Sequence, residues 1–352
     1  MSEIQKKISI GDRCIGDGYP AFIVLEIGSN HDGDIEKAKR YIDKAAKIGA
    51  DAVKFQTIDL NKLLSDKIIV NGRLIPNESK NGAQFISVPH DWYPELFDYA
   101  KRRDLVAFST PFDLEAVDIL LDAGAELMKV ASCDLTNLDL IKKVGLSDKP
   151  ILLSTGMGNL AEVHKALETL YSTGNDKVIV LHCVASYPAA FEDVNLRAML
   201  TMRAAFQVPV GLSDHTLGPT TALGAVALGA CAIEKHATLD RQSPGTDHFF
   251  AMEFPEFEEM IQMIRELETA MGNGKKHPSE AEKGRMAKIR RALYTRRAIA
   301  KGEVIQASDL IALRPQRDFI KVKEFDDVLG LRAPRNYEKG EPLRWTDFLE
   351  YL

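Results

Sequence analysis

Short apolar runs recur through the first three quarters of the chain, and segments with helical spacing lie between them. The runs read AFIVLEIG (21–28), ADAVKFQ (50–56), LVAFSTP (105–111), AELMKVAS (125–132), KPILLST (149–155), KVIVLHC (177–183), VPVGLSD (208–214) and ACAIEKH (230–236). In the segment 34–49, Ala38, Ile42, Ala45 and Ala46 share one helical face, and Gly49 supplies a C-terminal cap. In 254–272, Phe257, Met260, Ile261, Ile264, Leu267 and Met271 follow the same spacing, with Pro255 near the start and Gly272 at the end. Near-continuous apolar strands separated by amphipathic helices mean parallel strands covered by helices. Eight of them before residue 240 predict an α/β fold, a (β/α)8 TIM barrel, which takes about 250 residues. A doubly wound open sheet would want a glycine-rich phosphate loop after its first strand, and EIGSNHDG is not GxGxxG.

Beyond the long helical segment the pattern changes. Residues 272–290 are polar and basic, which reads as a solvated linker or helix face. Residues 291–352 alternate short β-like pieces with turn signals at Lys301-Gly302 and Ala307-Ser308. The predicted organisation is a catalytic barrel at 1–271, a linker at 272–290 and a small, mostly β domain at 291–352. A module of that size is hard to stabilise alone and is expected to pack on something, a second subunit included.

Composition narrows the class. A net charge of -6 over 352 residues argues against nucleic-acid binding by bulk electrostatics. Cys14, Cys133, Cys183 and Cys231 are scattered without a CxxC pair, as in a reducing compartment. No apolar run approaches the roughly 20 residues of a membrane helix, and the first residues have no apolar core of a signal peptide. The expectation is a cytoplasmic protein with neither nucleic-acid nor membrane partners.

In a parallel barrel, ligands bind at the C-terminal ends of the strands. Those ends carry Glu26, then Asn30 and His31; Lys54 and Gln56; Ser109 and Thr110; Lys129, Ser132 and Asp134; Ser154 and Thr155; His182 and, further on, Tyr187; Ser213, Asp214 and His215; and Glu234, Lys235 and His236. Exit into solvent would explain any one polar strand end, but not all eight. Lysine is depleted in strands and costly to bury unpaired. Lys54 and Lys129 within separate apolar runs, joined by the hydroxyls of Thr110, Ser132, Ser154 and Ser213, make a site for a phosphate or carboxylate. Ion pairing of those lysines with Glu26 or Asp134 is the alternative account, and it would still lie at the site. His215 and His236 end adjacent strands. With Glu26, Asp134 and Asp247 nearby, they suit a borderline divalent metal such as manganese, iron, cobalt or zinc, with positions open for substrate. The competing account makes one imidazole a hydrogen-bond donor and the other a satisfied core group. His31 is either a third ligand or a turn residue, and Glu234 and Lys235 read as structural neighbours. A reading of another class, a Schiff-base aldolase, would use Lys54 or Lys129 as nucleophile and be indifferent to chelators.

The blocks EIGSNHDG, VKFQT, FSTPFD, KVASCDLTN, LLSTGM, LHC…YP, GLSDHTLG, EKHATLDR…PGTDH and the late LRP resemble, in order, the sialic acid synthase family with its C-terminal antifreeze-like (SAF) domain. The resemblance implies a metal-dependent condensation of phosphoenolpyruvate with an amino sugar, with C–O cleavage and release of phosphate. Lys54, Thr110, Lys129, Ser132, Ser154 and Ser213 would hold phosphoenolpyruvate. His215 and His236 would hold the metal, manganese first, with magnesium or cobalt as alternatives. Glu26 would orient water or carry a proton, with Asp134 and Asp247 near the metal-bound water. Gln56 and Tyr187 would meet the sugar, and Arg314 would reach its N-acyl group from the partner subunit of a domain-swapped homodimer. The first expectation for the sugar is an N-acetylmannosamine type. Its 6-phosphate and the diacetamido-trideoxyhexoses leading to legionaminic or pseudaminic acid are the alternatives. Four departures touch sugar recognition: Asp134 in place of Glu, Ala185 in place of an amide, Ala237 in place of Phe (expected to widen the site), and the 66–92 loop.

Overall fold

The computed structural model describes residues 7–80, 87–315 and 319–349. Its contacts divide the chain into two units, Met1–Gly272 and Asn273–Leu352. In the first unit each apolar run becomes a strand: β1 (Phe22–Glu26), β2 (Ala52–Thr57), β3 (Val106–Pro111), β4 (Met128–Val130), β5 (Ile151–Ser154), β6 (Val178–Cys183), β7 (Val210–Asp214) and β8 (Ala232–Thr238). Consecutive strands pair in parallel, and β8 pairs with both β7 and β1, so the sheet closes into the expected eight-stranded TIM barrel. A helix follows every strand: α1 (Ile35–Lys47), α2 (Tyr93–Lys101), α3 (Leu114–Asp122), α4 (Leu138–Leu146), α5 (Leu160–Tyr171), α6 (Arg197–Phe206), α7 (Thr220–Ala227) and α8 (Phe254–Met271).

The local chemistry sets these elements. The Asp34 carboxylate accepts from the Glu36 amide and starts α1, whose buried stripe is Ala38, Tyr41, Ile42 and Ala45. Gly49 takes φ +77° where the chain turns out of the helix. Truncating Ile42, which is fully buried, to alanine would cost about 2–5 kcal/mol. At the other end of the barrel domain, α8 opens with a reciprocal Glu253–Glu256 capping box and closes before Gly272.

Side-chain alternation separates two cores. Outward residues such as Ile23, Leu25, Val53, Phe55, Val180 and Ile233 pack under the helices. Inward residues fill the lower barrel: Phe22 and Val24, Ala52, Val106 and Phe108, Leu127, Leu152, Ile179 and Leu181, Ala232. An N-terminal hairpin, Lys7–Ile10 paired with Arg13–Gly16, inserts Ile8, Ile10 and Ile15 into that inner core and closes the floor. Continuing inward along each strand, the residues turn polar: Glu26 after Val24, Lys54 after Ala52, Thr110 after Phe108, Lys129 after Leu127, Ser154 after Leu152, and Glu234 after Ala232. The strand period of two therefore stacks a polar layer on an apolar one.

Within the 66–92 loop, Lys67–Val70 pairs with Arg73–Pro76 around Asn71-Gly72, both at positive φ as a two-residue hairpin turn requires. Residues 81–86 of that loop lie outside the described residues. The second unit begins with a helix, Glu280–Ile289, set off by a Ser279–Glu282 capping box inside the segment predicted as a linker. Its β part pairs Ala292–Thr295 with Leu310–Leu313. Leu293, Ile305, Leu310, Val328, Tyr337 and Leu343 contribute to its own small core. Among the described residues no helix is long and apolar enough to cross a membrane.

Candidate active site

The open end of the barrel is a cavity of about 600 Å³. Its lower layer is electrostatic. Glu26 and Lys54 are register partners on β1 and β2, with Lys54 Nζ 2.7 Å from Glu26 Oε2. Lys54 also donates to Thr110 Oγ1 at 3.2 Å. Lys129 donates to Ser154 Oγ at 2.6 Å and to the Val130 carbonyl at 3.0 Å. Between the two ammonium groups stands Glu234, whose Oε1 is 3.8 Å from Lys54 Nζ and 3.9 Å from Lys129 Nζ and accepts from Ser213 Oγ at 3.1 Å. All four charged side chains are buried.

Burial pushes the Glu26 carboxyl from 4.5 up to about 7, against the pull of Lys54. For Glu234 burial also acts upward, but Lys129 and Lys54 on either side outweigh it and the net shift is down. Burial acts downward on both lysines. It prevails at Lys129, while Glu234 and Glu26 reverse it at Lys54. The arrangement sets two lysines on either side of one carboxylate at the base of the well, with a second carboxyl poised to take or release a proton near neutrality.

The upper layer is built around imidazoles. The rings of His215 and His236 lie 5.4 Å apart, centroid to centroid. Tyr187 covers them, 4.3 Å from His215, and Phe250 lies 5.0 Å from His236. Gln56 Nε2 donates to Glu26 Oε1 at 2.9 Å, tying the rim to the lysine layer. Ser132 Oγ accepts from the Gly156 amide at 3.0 Å. Gly28, at φ +55°, leaves no room for a side chain there, because a Cβ would stand 2.9 Å from Asp247 Oδ2.

A divalent metal fits these residues. His236 Nδ1 is buried without a hydrogen-bond partner and faces Asp247 Oδ2 at 3.8 Å. Burial, with His215 and Lys54 nearby, holds that imidazole well below its ordinary pKa and hence neutral, the form that ligates. His215 Nδ1 is engaged by the Val184 carbonyl at 3.0 Å, which leaves Nε2 as its available nitrogen. Among the described residues no three His, Cys, Asp or Glu side chains form a complete cage. A metal held by His215 and His236 would take its remaining ligands from water or substrate.

Of the residues singled out from sequence, Glu26, Lys54, Gln56, Thr110, Lys129 and Ser132 line the cavity, as do Ser154, Tyr187, Ser213, His215, His236 and Asp247. Asp134 does not. It ends the short turn Ser132–Asp134, which breaks the strand period, and its carboxylate accepts from Asn137 Nδ2 at 3.1 Å beside the start of α4. Arg314 belongs to the second unit, where it is exposed and its carbonyl accepts from Tyr294 at 3.4 Å. His31 is buried against Trp92, its Nδ1 accepting from the Gly33 amide, and is not part of the cavity wall. Two expectations about β8 are corrected. Glu234, read as a structural neighbour, lies at the centre of the lysine layer. Ala237, expected to widen the site, packs outward in the core under the helices. The period of two from His236 requires both. Ala185, by contrast, does line the cavity.

A parallel barrel whose open end presents paired lysines, hydroxyls and two imidazoles has the makings of a binding site for a small phosphorylated or carboxylated substrate. A family model described as the NeuB family matches residues 41–276, and one described as the SAF domain matches residues 290–349. The chain belongs to the NeuB family, the phosphoenolpyruvate-condensing nonulosonic acid synthases, which are transferases generally dependent on a metal. It is 38% identical to an N,N'-diacetyllegionaminic acid synthase of Campylobacter jejuni, over 92% of this chain and 98% of that protein. It is 36% identical to an N,N'-diacetyllegionaminic acid synthase of Legionella pneumophila, over 94% of this chain and 95% of that protein. Among solved structures, an N-acetylneuraminic acid synthetase from Leptospira borgpetersenii superposes with a TM-score of 0.73 at 31% identity, covering 81% of this chain and 97% of that one.

Proposed function

We propose that this protein condenses phosphoenolpyruvate with an open-chain 2,4-diacetamido-2,4,6-trideoxyhexose to give N,N'-diacetyllegionaminic acid and inorganic phosphate. The observation that carries the reaction is the Lys54–Glu234–Lys129 layer with its hydroxyl donors, a base on which the phosphate and carboxylate of phosphoenolpyruvate can sit. The identity of the sugar is supported by the two legionaminic acid synthases, which are more similar to this chain than the N-acetylneuraminic acid synthetase is. Charge supports it too. Lys54 and Lys129 are the only lysine or arginine side chains on the cavity wall among the described residues, and both lie in the lower layer. Within one chain, a sugar 6-phosphate would find no lysine or arginine there beyond the pair that seats phosphoenolpyruvate. Ile58, Phe112, Met157 and Ala185 on the wall suit methyl and acetamido groups better than a phosphate or a chain of hydroxyls.

In this reading Lys54, Lys129, Thr110, Ser132, Ser154 and Ser213 orient phosphoenolpyruvate. Its C3 forms a bond to the aldehyde carbon, the aldehyde oxygen takes up a proton, and water adds at C2 with loss of one proton. The resulting C2 hydroxyl gives up its own proton to become the keto oxygen as the C2–O bond to phosphate breaks, its electron pair leaving on phosphate. Glu26 accepts the proton of that water, which its position near neutrality allows. Asp247 and Gln56 hold the sugar hydroxyls and Tyr187 stacks over them. His215 and His236 would hold the divalent ion, manganese by preference, and when bound it supplies Lewis-acid polarisation of the aldehyde. Arg314 would arrive from a second copy of the chain.

Phosphate release measured with phosphoenolpyruvate, manganese and each of three sugars tests the substrate. The expected order is the diacetamido-trideoxy sugar ahead of N-acetylmannosamine, with the 6-phosphate inactive. Faster turnover of either mannosamine would overturn the choice of sugar. Mixing Arg314→Ala with His236→Ala protein tests the shared site. Partial recovery of activity supports it, and none would overturn it.

A further inference from the structure

Between the two imidazoles and the lysine layer, on the outer face of the barrel, lies a buried ion pair that takes no part in the cavity. On the β7–β8 ladder, Ser213 registers with Glu234 and Asp214 with Lys235. One rung further stand His215 and His236. The rungs alternate in direction: Ser213 and Glu234 are bonded facing the cavity, and the two imidazoles also face it. Asp214 and Lys235 point the opposite way, with Lys235 Nζ 2.7 Å from Asp214 Oδ2 and each residue 3% exposed.

The pair does more than neutralise itself. Asp214 Oδ1 accepts from the Thr216 amide at 2.9 Å and from the Thr216 hydroxyl at 2.8 Å. Asp214 Oδ2 accepts from Thr221 Oγ1 at 2.8 Å, at the start of α7. Lys235 Nζ donates to the Thr216 carbonyl at 2.6 Å. Both backbone polar groups of Thr216, the residue that follows His215, are therefore held by side chains from the rung that precedes it, one from each strand. Asp214 thus holds the peptide that leaves His215, and Lys235 holds the one after it. Two apolar side chains can often replace a buried ion pair at little cost, but here they would leave the polar groups of Thr216 without these partners.

From this geometry we infer that Asp214 and Lys235 are positioning residues. They clamp the β7 and β8 ends so that His215 and His236 keep the spacing a shared ligand needs. The inference rests on the reading of those imidazoles as the metal pair. A cross-strand grip just outside the ligands is the kind of support whose loss weakens metal binding about 10- to 100-fold.

Asp214→Asn combined with Lys235→Met removes both charges at once, so neither is left buried alone. In the full-length protein, Mn2+ titration followed by electron paramagnetic resonance should show weaker binding by about 10- to 100-fold. Phosphoenolpyruvate affinity in the metal-free protein, measured by calorimetry, should be unchanged. The imidazole 15N resonances of His215 and His236 in the metal-free variant should broaden or split. Lys235→Arg should recover most of the metal affinity. Equal Mn2+ affinity in the double variant and the wild type would overturn the inference, and so would a parallel loss of phosphoenolpyruvate affinity, which marks general loosening of the barrel. If the double variant does not fold, Asp214→Glu, which keeps the charge and lengthens the arm, is judged by the same two affinities. A wild type that binds no Mn2+, or one whose binding survives His236→Ala, would overturn the metal reading along with this one; the other failures overturn this one alone.

Discussion

Lys54 Nζ lies 2.7 Å from Glu26 Oε2 and 3.8 Å from Glu234 Oε1, so one buried ammonium serves two carboxylates. A substrate anion that comes to Lys54 must compete with both. Lys129 shares Glu234 from the other side at 3.9 Å. The layer is therefore a balanced set that an incoming charge rearranges.

Glu26 should make stability fall as pH rises. Its folded pKa, raised by burial to about 7, exceeds the ordinary 4.5. The folded state therefore binds this proton more tightly, and the contribution is complete below 4.5 and lost as pH rises through about 7. Glu26→Gln should flatten the fall in thermal midpoint across that window. Turnover of the wild type should rise near neutrality as the carboxylate forms, and Glu26→Gln should remove that rise. A wild-type profile that Glu26→Gln leaves unaltered would exclude this residue as the proton carrier.

Lys129→Met should weaken phosphoenolpyruvate binding by about 10- to 100-fold, the loss of one charge-assisted contact of about 1.5–3 kcal/mol. Calorimetry with phosphoenolpyruvate checks it. Borohydride added to the turning-over wild type should trap no adduct at Lys54 or Lys129. A trapped adduct would restore the Schiff-base reading.

Gly28→Ala should cost activity more than stability. The left-handed backbone at φ +55° penalises a Cβ by about 1–2 kcal/mol. That Cβ would also press Asp247 Oδ2 from 2.9 Å and Glu26 Oε1 from 3.3 Å. The expected result is a drop in turnover of at least tenfold with a melting temperature lowered by only a few degrees, about 2–4 °C per kcal/mol.

Ala237→Phe should act on the fold and leave substrate choice alone. Ala237 is fully buried on the outer face of β8, and its carbonyl accepts from Asn30 Nδ2 at 2.9 Å. Overpacking there costs about 1–3 kcal/mol. A lowered melting temperature with an unchanged order of sugar preference is the expected pair of readings. A changed preference would return Ala237 to the cavity wall.

The barrel was legible because its strands are covered on both faces and so read as continuous apolar runs. Lys54 and Lys129 stood out for the same reason, as charges inside those runs. Direction was harder to read. Glu234 and Ala237 can be placed by counting in twos from His236, but from sequence Glu234 is grouped with Lys235 as a structural neighbour and Ala237 is taken from the family resemblance as a wall residue. Asp134 was not readable that way, because the turn at Ser132–Asp134 abandons the strand period after β4. The Asn71-Gly72 hairpin carries a plain two-residue turn signal but lies outside the eight apolar runs of the barrel. Arg314 sits in the other unit, and no pattern within either unit relates the two.

The N-terminal hairpin makes the barrel a blind well. With Ile8, Ile10 and Ile15 packed into its floor, the described residues leave the barrel open at the mouth and filled at the base. The lysine layer is deep and the imidazole rim shallow, so depth becomes sequence in time. In the proposed reaction, a molecule seated on Lys54 and Lys129 would then have to arrive before one lodged between Tyr187 and Phe250, and phosphate released at the bottom would wait for the lodger above to leave.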